Sequence, residues 1–391
     1  MDWRVRFWTT VTVLGVVAAV AVSALAPVGG ATGARAAARP GDELAACGMS
    51  GVDFVGQSEV LNKTEFGGFA VSELSGIAYA RKRDSYYAIA DRAGAVATHV
   101  FTLKVSLGGD GTVAPSVEDV IVLNDAAGVP FNGFNFDGEG IALVKGGDLF
   151  VASESGSAAG EQPEVRRFSR TGAHQTALAI PARFLIGPNN LSFESLSLSP
   201  NGHSLFTANE APLAADGRMA DLRSRIRILR FDSRGPGGFE PAQEYFYLTE
   251  PGRTAGDLGV AEIIALSETD ILVLERGFVA GQGNTIRIFQ VSLKHAADVS
   301  EAPSLAAPGL QPVSKTLLVD VSTCPSGGAT IPPGATQPNA LLDNFEAMTL
   351  GPKLPGGRRA LILMSDDNGN AVQTTRLVVL AVPESHLNGQ R

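Results

Sequence analysis

Acidic residues recur along this chain in one repeated setting. Ser72-Glu73-Leu74-Ser75-Gly76-Ile77 is followed, after a polar turn, by Tyr86-Tyr87-Ala88-Ile89-Ala90-Asp91. Asp137-Gly138-Glu139-Gly140-Ile141 is followed by Leu149-Phe150-Val151-Ala152-Ser153-Glu154, and Phe193-Glu194-Ser195-Leu196 by Leu205-Phe206-Thr207-Ala208-Asn209-Glu210. Ala261-Glu262-Ile263-Ile264 leads to Ile271-Leu272-Val273-Leu274-Glu275, and Asn344-Phe345-Glu346-Ala347-Met348 to Leu361-Ile362-Leu363-Met364-Ser365-Asp366-Asp367. Each unit is a pair of short apolar runs around a turn. One carboxylate opens the first run and another closes the second.

In an antiparallel hairpin the start of the first strand lies beside the end of the second. The expected neighbours are therefore Glu73 with Asp91, Glu139 with Glu154, Glu194 with Glu210, Glu262 with Glu275, and Glu346 with Asp366 or Asp367. Carboxylates gathered in this way cannot all ionise unless positive charge compensates them. Arginine is one compensator: Arg92 and Arg276 each follow a closing acid and suit an anionic substrate, with Arg225 a further neighbour. A hard divalent cation is the other, and calcium matches an all-oxygen donor set best. On this reading Glu139, Glu194 and Glu346 are the catalytic carboxylates. Glu73, Asp91, Asp137, Glu154, Glu210, Glu262, Glu275, Asp366 and Asp367 are the candidate metal ligands. Glu139, Glu154, Glu194, Glu210 and Glu346 have the small or polar neighbours that leave space for a ligand. The competing reading is structural, since a repeated acid can also cap backbone N–H groups or hold an arginine in every unit.

These acids need a scaffold that brings five hairpins together. A third strand follows each hairpin, at Val100–Leu103, Glu164–Phe168, Arg225–Leu229, Thr285–Phe289 and Arg376–Leu380. Candidate fourth strands lie at Val117–Leu123, Leu178–Leu185, Glu244–Leu248 and Thr316–Val321. The last unit has none after it, and Phe54–Leu61 near the N-terminus can supply one. Four antiparallel strands repeated around the chain describe an all-β fold, a β-propeller closed by an N-terminal strand. Five blades are visible. The opening glutamates are 66, 55, 68 and 84 residues apart, so a sixth blade has room in the last interval. A large β-sandwich is the alternative fold, but it does not explain the repeated acids.

Composition agrees with short strands and tight turns. The chain has 45 Gly and 22 Pro, with 45% hydrophobic and 18% charged residues, which excludes a disordered chain. A net charge of −9 argues against nucleic acid or an anionic membrane surface as partner. Arg4 and Arg6, the apolar stretch Val11–Val28 and the small residues of Ala34-Arg35-Ala36 make residues 1–36 read as a secretory signal peptide. An uncleaved membrane anchor is the alternative; either one exports the chain. Residues 37–50 then form a linker, 51–385 the propeller and 386–391 a C-terminal tail. No later segment is long and apolar enough to span a bilayer. Cys47 and Cys324 are the only cysteines, too few for a cysteine zinc site. In an exported protein they are expected to form one disulfide that staples the ring closure, two unpaired thiols being the alternative.

Other chemical motifs are missing. There is no G-x-S-x-G elbow, no phosphate-binding loop and no H-E-x-x-H spacing among His99, His174, His203, His295 and His386. The segments Leu74-Ser75-Gly76-Ile77, Asp137-Gly138-Glu139-Gly140-Ile141, Phe193-Glu194-Ser195-Leu196-Ser197-Leu198-Ser199-Pro200, Leu272-Val273-Leu274-Glu275-Arg276 and Asp343-Asn344-Phe345-Glu346-Ala347-Met348 resemble the phytase-like family, described as esterase-like activity of phytase. The resemblance implies a secreted bacterial propeller, monomeric, that hydrolyses a small phosphate or carboxylate ester with calcium. A phytate site needs several basic groups, and this chain offers few. The alternatives are a propeller that binds a ligand or an envelope partner without catalysis, and a calcium-propeller lactonase.

Overall fold

Short runs of β-branched and large apolar residues, cut by Gly- and Asp-containing turns, cannot continue as helices and pair into hairpins. The computed structural model describes residues 44–91, 94–154, 162–186, 190–235, 238–254 and 258–388. The expected signal segment, residues 1–36, and Arg92 lie outside the described residues. The described chain is an all-β propeller of five blades, each a four-stranded antiparallel sheet.

From the channel outwards, the first blade is Leu74–Ala80, Ser85–Ala90, His99–Leu107 and Val113–Val122. The second is Asp137–Leu143, Leu149–Glu154, Glu164–Phe168 and His174–Ala177. Ser197–Leu198, Ser204–Ala208, Arg225–Ser233 and Phe239–Leu248 make the third; Leu258–Ala265, Asp270–Val279, Gly283–Ser292 and Ser314–Asp320 make the fourth. The fifth combines Phe345–Leu354, Arg358–Ser365 and Leu377–Pro383 with the N-terminal strand Asp53–Ser58. Each inner strand touches those of the blades on either side, the fifth touching the first, so the ring is closed.

Blades stack face to face, so both faces of a middle strand are buried. This is why Ile271-Leu272-Val273-Leu274 and Ile362-Leu363-Met364 read as continuous apolar runs rather than alternating ones. Each interface between neighbouring blades has its own apolar core. The fourth and fifth blades meet through Leu272, Leu274, Leu361 and Leu363, and the first and second through Ile89, Val100, Ile141 and Val151.

Ring closure is reinforced at three points. Asp53–Ser58 pairs antiparallel with Leu377–Ala381, and Ala45–Ala46 adds two further residues to that sheet, inside the segment expected to be a linker. Cys47 and Cys324 form a disulfide across 277 residues, joining the closing strand to the turn after the fourth blade. Arg376 is fully buried; its guanidinium donates to Glu59 at 2.8 Å and to the carbonyls of Leu341 and Leu342 at 2.9 and 3.1 Å. A single α-turn, Glu384–Leu387, follows the last strand, and Leu387 is buried against the core. No helix among the described residues is long and apolar enough to cross a membrane.

Two expectations need correction. The long interval before Glu346 holds no sixth blade; it holds the outer strand of the fourth blade and the loops around it. The outer strand of the second blade is His174–Ala177, not Leu178–Leu185. Pro181 lacks the N–H a ladder needs, and Leu178 and Phe184 instead bury their side chains from a loop and a 3-10 turn.

Candidate functional site

Every inner strand carries the same irregularity near one end of the channel. In the first blade Leu74 pairs with Ala90 but Gly76 pairs with Ile89, leaving Ser75 as an extra residue. The second blade shifts by one residue across Glu139, the fourth across Ala261 and the fifth across Glu346. In the third, Phe193 bridges Asn209 while Ser197 pairs with Phe206, so a one-residue shift falls within residues 194–196. A bulge re-aims the side chain it contains. The equivalent positions Ser75, Glu139, Glu194, Ala261 and Glu346 thus stand at one level around the axis. Beside them, near the same end of each second strand, stand Asp91, Glu154, Glu210, Arg276 and Asp366, with Glu154 and Arg276 still paired to Asp137 and Gly259.

The residues at these two positions, all except Ser75 and Ala261, line a cavity of about 710 Å³ at that mouth. Its carboxylates are Asp91, Glu139, Glu154, Glu194, Glu210, Glu346 and Asp366, and Arg276 is the one cationic side chain among its described lining residues. Arg276 occupies the place that an acid holds in the other four blades. Its Nη2 lies 2.7 Å from Glu210 and 3.0 Å from Glu346. Ser75 donates to Glu346 at 3.3 Å, and the Asn344 amide donates to the same carboxylate at 3.0 Å. Asp91, Asp137 and Glu139 offer carboxylate oxygens within 4.8 Å of one another.

Burial and mutual repulsion raise the pKa of six of these acids. Burial first, then the hydrogen bond and charge of Asp137, push Asp91 up to about 11. Burial and the charges of Asp137 and Glu210 push Glu154 up to about 8. Glu139, Glu194 and Asp366 are driven well above the usual carboxyl range, again mainly by burial. Burial also raises Glu210, against the opposing pull of Arg276. Burial works against the charge of Arg276, but Glu210, Glu346 and Glu194 together hold its proton more firmly than usual.

The donor set fits a hard divalent cation. It consists of oxygen atoms, and two of them are buried without a hydrogen-bond partner: Asp366 Oδ2 and Asn284 Oδ1, whose residues are 1% and 2% exposed and line the cavity. Such orphaned acceptors are costly unless something positive meets them.

Four expected ligands stand elsewhere. Glu262 follows the bulge instead of filling it and pairs across with Leu274, not with Glu275. Its side chain drops one level below the cavity, where the other blades carry Gly76, Gly140, Ser195 and Ala347. There it is 1% exposed and accepts the Ile263 N–H at 2.8 Å, with the N–H groups of Leu196 and Met348 also bonding to it. Glu275 immediately precedes Arg276, so strand alternation turns it to the opposite face. It meets Tyr247 Oη at 2.6 Å, Lys315 Nζ at 2.7 Å and the Glu250 N–H at 3.0 Å. Asp367 is fully buried and tied to Lys63, Ser72 and the Glu73 N–H. Glu73 sits two residues before the first bulge, with φ of 55°, outside the cavity lining. Arg225 also faces away, donating to the Asp216 carbonyl at 3.2 Å.

The rim holds groups with no signature in the repeat. Asn190, Gln337, Asn370 and Gln373 present amides, and Leu191, Phe278 and Val372 present exposed apolar side chains. Apart from Phe278, which lies in the second strand of the fourth blade, they come from loops outside the regular hairpins; of the rim residues only Asn368 was marked by its place in an acidic run.

A family model described as phytase-like, esterase-like activity of phytase, matches residues 69–369, and the chain belongs to that family. No curated protein matches the sequence. Among solved structures, the major allergen Mala s 1 of Malassezia sympodialis is 13% identical with a TM-score of 0.38, covering 80% of this chain and 79% of its own. The periplasmic gluconolactonase of Pseudomonas aeruginosa is 14% identical with a TM-score of 0.32, covering 79% and 85%. A Dyadobacter fermentans protein of unknown function is 12% identical with a TM-score of 0.39, covering 85% and 99%. These likenesses are too distant to speak to this chain's chemistry.

Proposed function

We propose that this member of the phytase-like family is an exported, divalent-cation-dependent hydrolase of small phosphate or carboxylate esters, acting at the acidic mouth. The observation that carries the reading is the convergence of seven carboxylates and one arginine on a single cavity. Asp91, Asp137 and Glu139 would hold the cation, calcium being the best match, with Glu154 and Asp366 within the same cavity. When bound, the ion would polarise the ester oxygen and lower the pKa of a coordinated water. Glu194 and Glu346 remain as the carboxylates that accept and return protons at the reacting oxygens. Arg276 holds Glu346 and Glu210 in place and supplies positive charge beside an anionic substrate. The disulfide and the leader-like residues 1–36 support export.

Purified protein should turn over phosphomonoesters or short acyl esters with calcium and lose that activity in chelator and in Glu194→Gln. Absence of turnover on both classes, with the cation shown to bind, would overturn the reading. That result would favour a second one, a binding propeller without catalysis, supported by the dominance of buried acids over a single arginine. A lactone panel in the same assay separates the lactonase alternative.

A further inference from the structure

The channel has a second end. Below the acidic cavity the axis is closed by Glu262 among Gly76, Gly140, Ser195 and Ala347. Beyond that level lies another cavity, of about 460 Å³, which shares no lining residue with the first. Its floor is apolar, made by Ile77, Ile141, Leu196, Ile263 and Met348, one from each blade. At its edge stand Arg81, after the inner strand of the first blade, and Arg359, in the second strand of the fifth.

Neither arginine has a carboxylate partner within ion-pair distance among the described residues. Arg359 Nε donates to the Gly351 carbonyl at 3.1 Å. Glu384 also lines this cavity and its charge acts on Arg359, but its ion pair is with Lys353 at 3.0 Å; Asp84 holds Tyr79 Oη and Lys104 Nζ, each at 2.8 Å. Burial first and then the charge of Arg81 loosen the proton of Arg359, with Glu384 pulling the other way, so the two guanidinium groups are close enough to repel. Two guanidinium groups, neither in ion-pair contact with a carboxylate among the described residues, stand above an apolar floor and match one kind of ligand. Its head must be anionic and able to accept paired N–H bonds, and its body must be apolar.

We propose that this opposite end is a binding site for an amphiphilic anion, with its head on Arg81 and Arg359 and its chain on the floor of five inner strands. The site is separate from the acidic mouth and does not depend on what happens there.

The probe is decanoate, titrated calorimetrically into the full-length protein below its micelle concentration. Decyltrimethylammonium supplies the same tail with the opposite charge, and acetate supplies the head without the tail. Saturable binding of decanoate at one site is expected, with both controls at least about tenfold weaker. The R81Q/R359Q protein should lose decanoate affinity by about tenfold or more while keeping its ligand-free melting temperature. Should that protein fail to fold, Arg81→Gln alone, at an exposed position, must still weaken decanoate. The proposal fails if the wild type shows no saturable binding, if decyltrimethylammonium binds as well, or if removing the arginines leaves affinity unchanged.

Discussion

Glu262 is the most exposed point of the structural reading, because its place in the repeat marks it as a ligand and the fold makes it a plug. Its carboxyl, 1% exposed, receives the N–H of Ile263 at 2.8 Å and those of Leu196 and Met348. Ile263 and Met348 lie on inner strands and Leu196 just before one, at channel edges with no further strand to pair with. Glu262→Ala removes their acceptor. An orphaned buried N–H costs about 1–3 kcal/mol, so three give at least about 3 kcal/mol before any cavity term. For a domain of about 350 residues that lowers the melting temperature by about 4 °C. Glu262→Gln keeps a carbonyl oxygen in the same place and should cost much less. The sign of the pH effect follows from burial, which drives Glu262 well above the usual carboxyl range. The folded state then binds a proton that the unfolded state releases, so its contribution is whole below the unfolded pKa and is lost as pH rises toward the folded one. Glutamine carries no such term. The stability of E262Q relative to wild type should therefore grow with pH, by up to about 1.4 kcal/mol per unit above about pH 4.5. Denaturant unfolding of the three proteins at pH 5 and pH 8 measures both effects. The plug assignment is refuted if E262A matches wild type within about 0.5 kcal/mol, or if E262Q shows no pH-dependent gain. It is also refuted if E262Q abolishes cation-induced stabilisation, which would return Glu262 to the ligand set.

Calcium at a hundred times its dissociation constant should stabilise the fold by about 2.7 kcal/mol, and chelator should reverse this. Asp366→Asn and Glu139→Gln should each shrink the shift; an unchanged shift in both would remove the cavity as its origin. Arg276→Gln leaves Glu210 and Glu346 without their shared cation and should cost about 3–5 kcal/mol in chelator, with calcium restoring part of it. Equal destabilisation with and without calcium would count against charge compensation at the mouth. Replacing Cys47 and Cys324 by serine frees a loop closed across 277 residues. The expected loss is about 2–5 kcal/mol, read by unfolding under non-reducing conditions, and no loss would mean the closing strand alone holds the ring.

Five hairpins, their turns, the strand that completes the last blade and the disulfide beside it were all legible from local pattern. Apolar runs with turn residues at hairpin spacing need no distant information, and an unfinished last unit calls for a strand from the other end. The gathering of acids at one mouth was legible too, since antiparallel pairing places the start of one strand beside the end of the next. The phase of each acid was not. A strand repeats every two residues, so a shift of one residue reverses the face, and a bulge becomes visible only when both strands of a pair are known. That is why Glu139, Glu194 and Glu346 share one level, while Glu262 falls below it and Glu275 turns away. It is also why Arg276 proves to stand in the place of a fifth acid, and why Glu73 and Asp367 anchor loops instead. The second cavity lay beyond local reading for the same reason: its floor takes one residue from each of five blades, and only closing the ring brings them together.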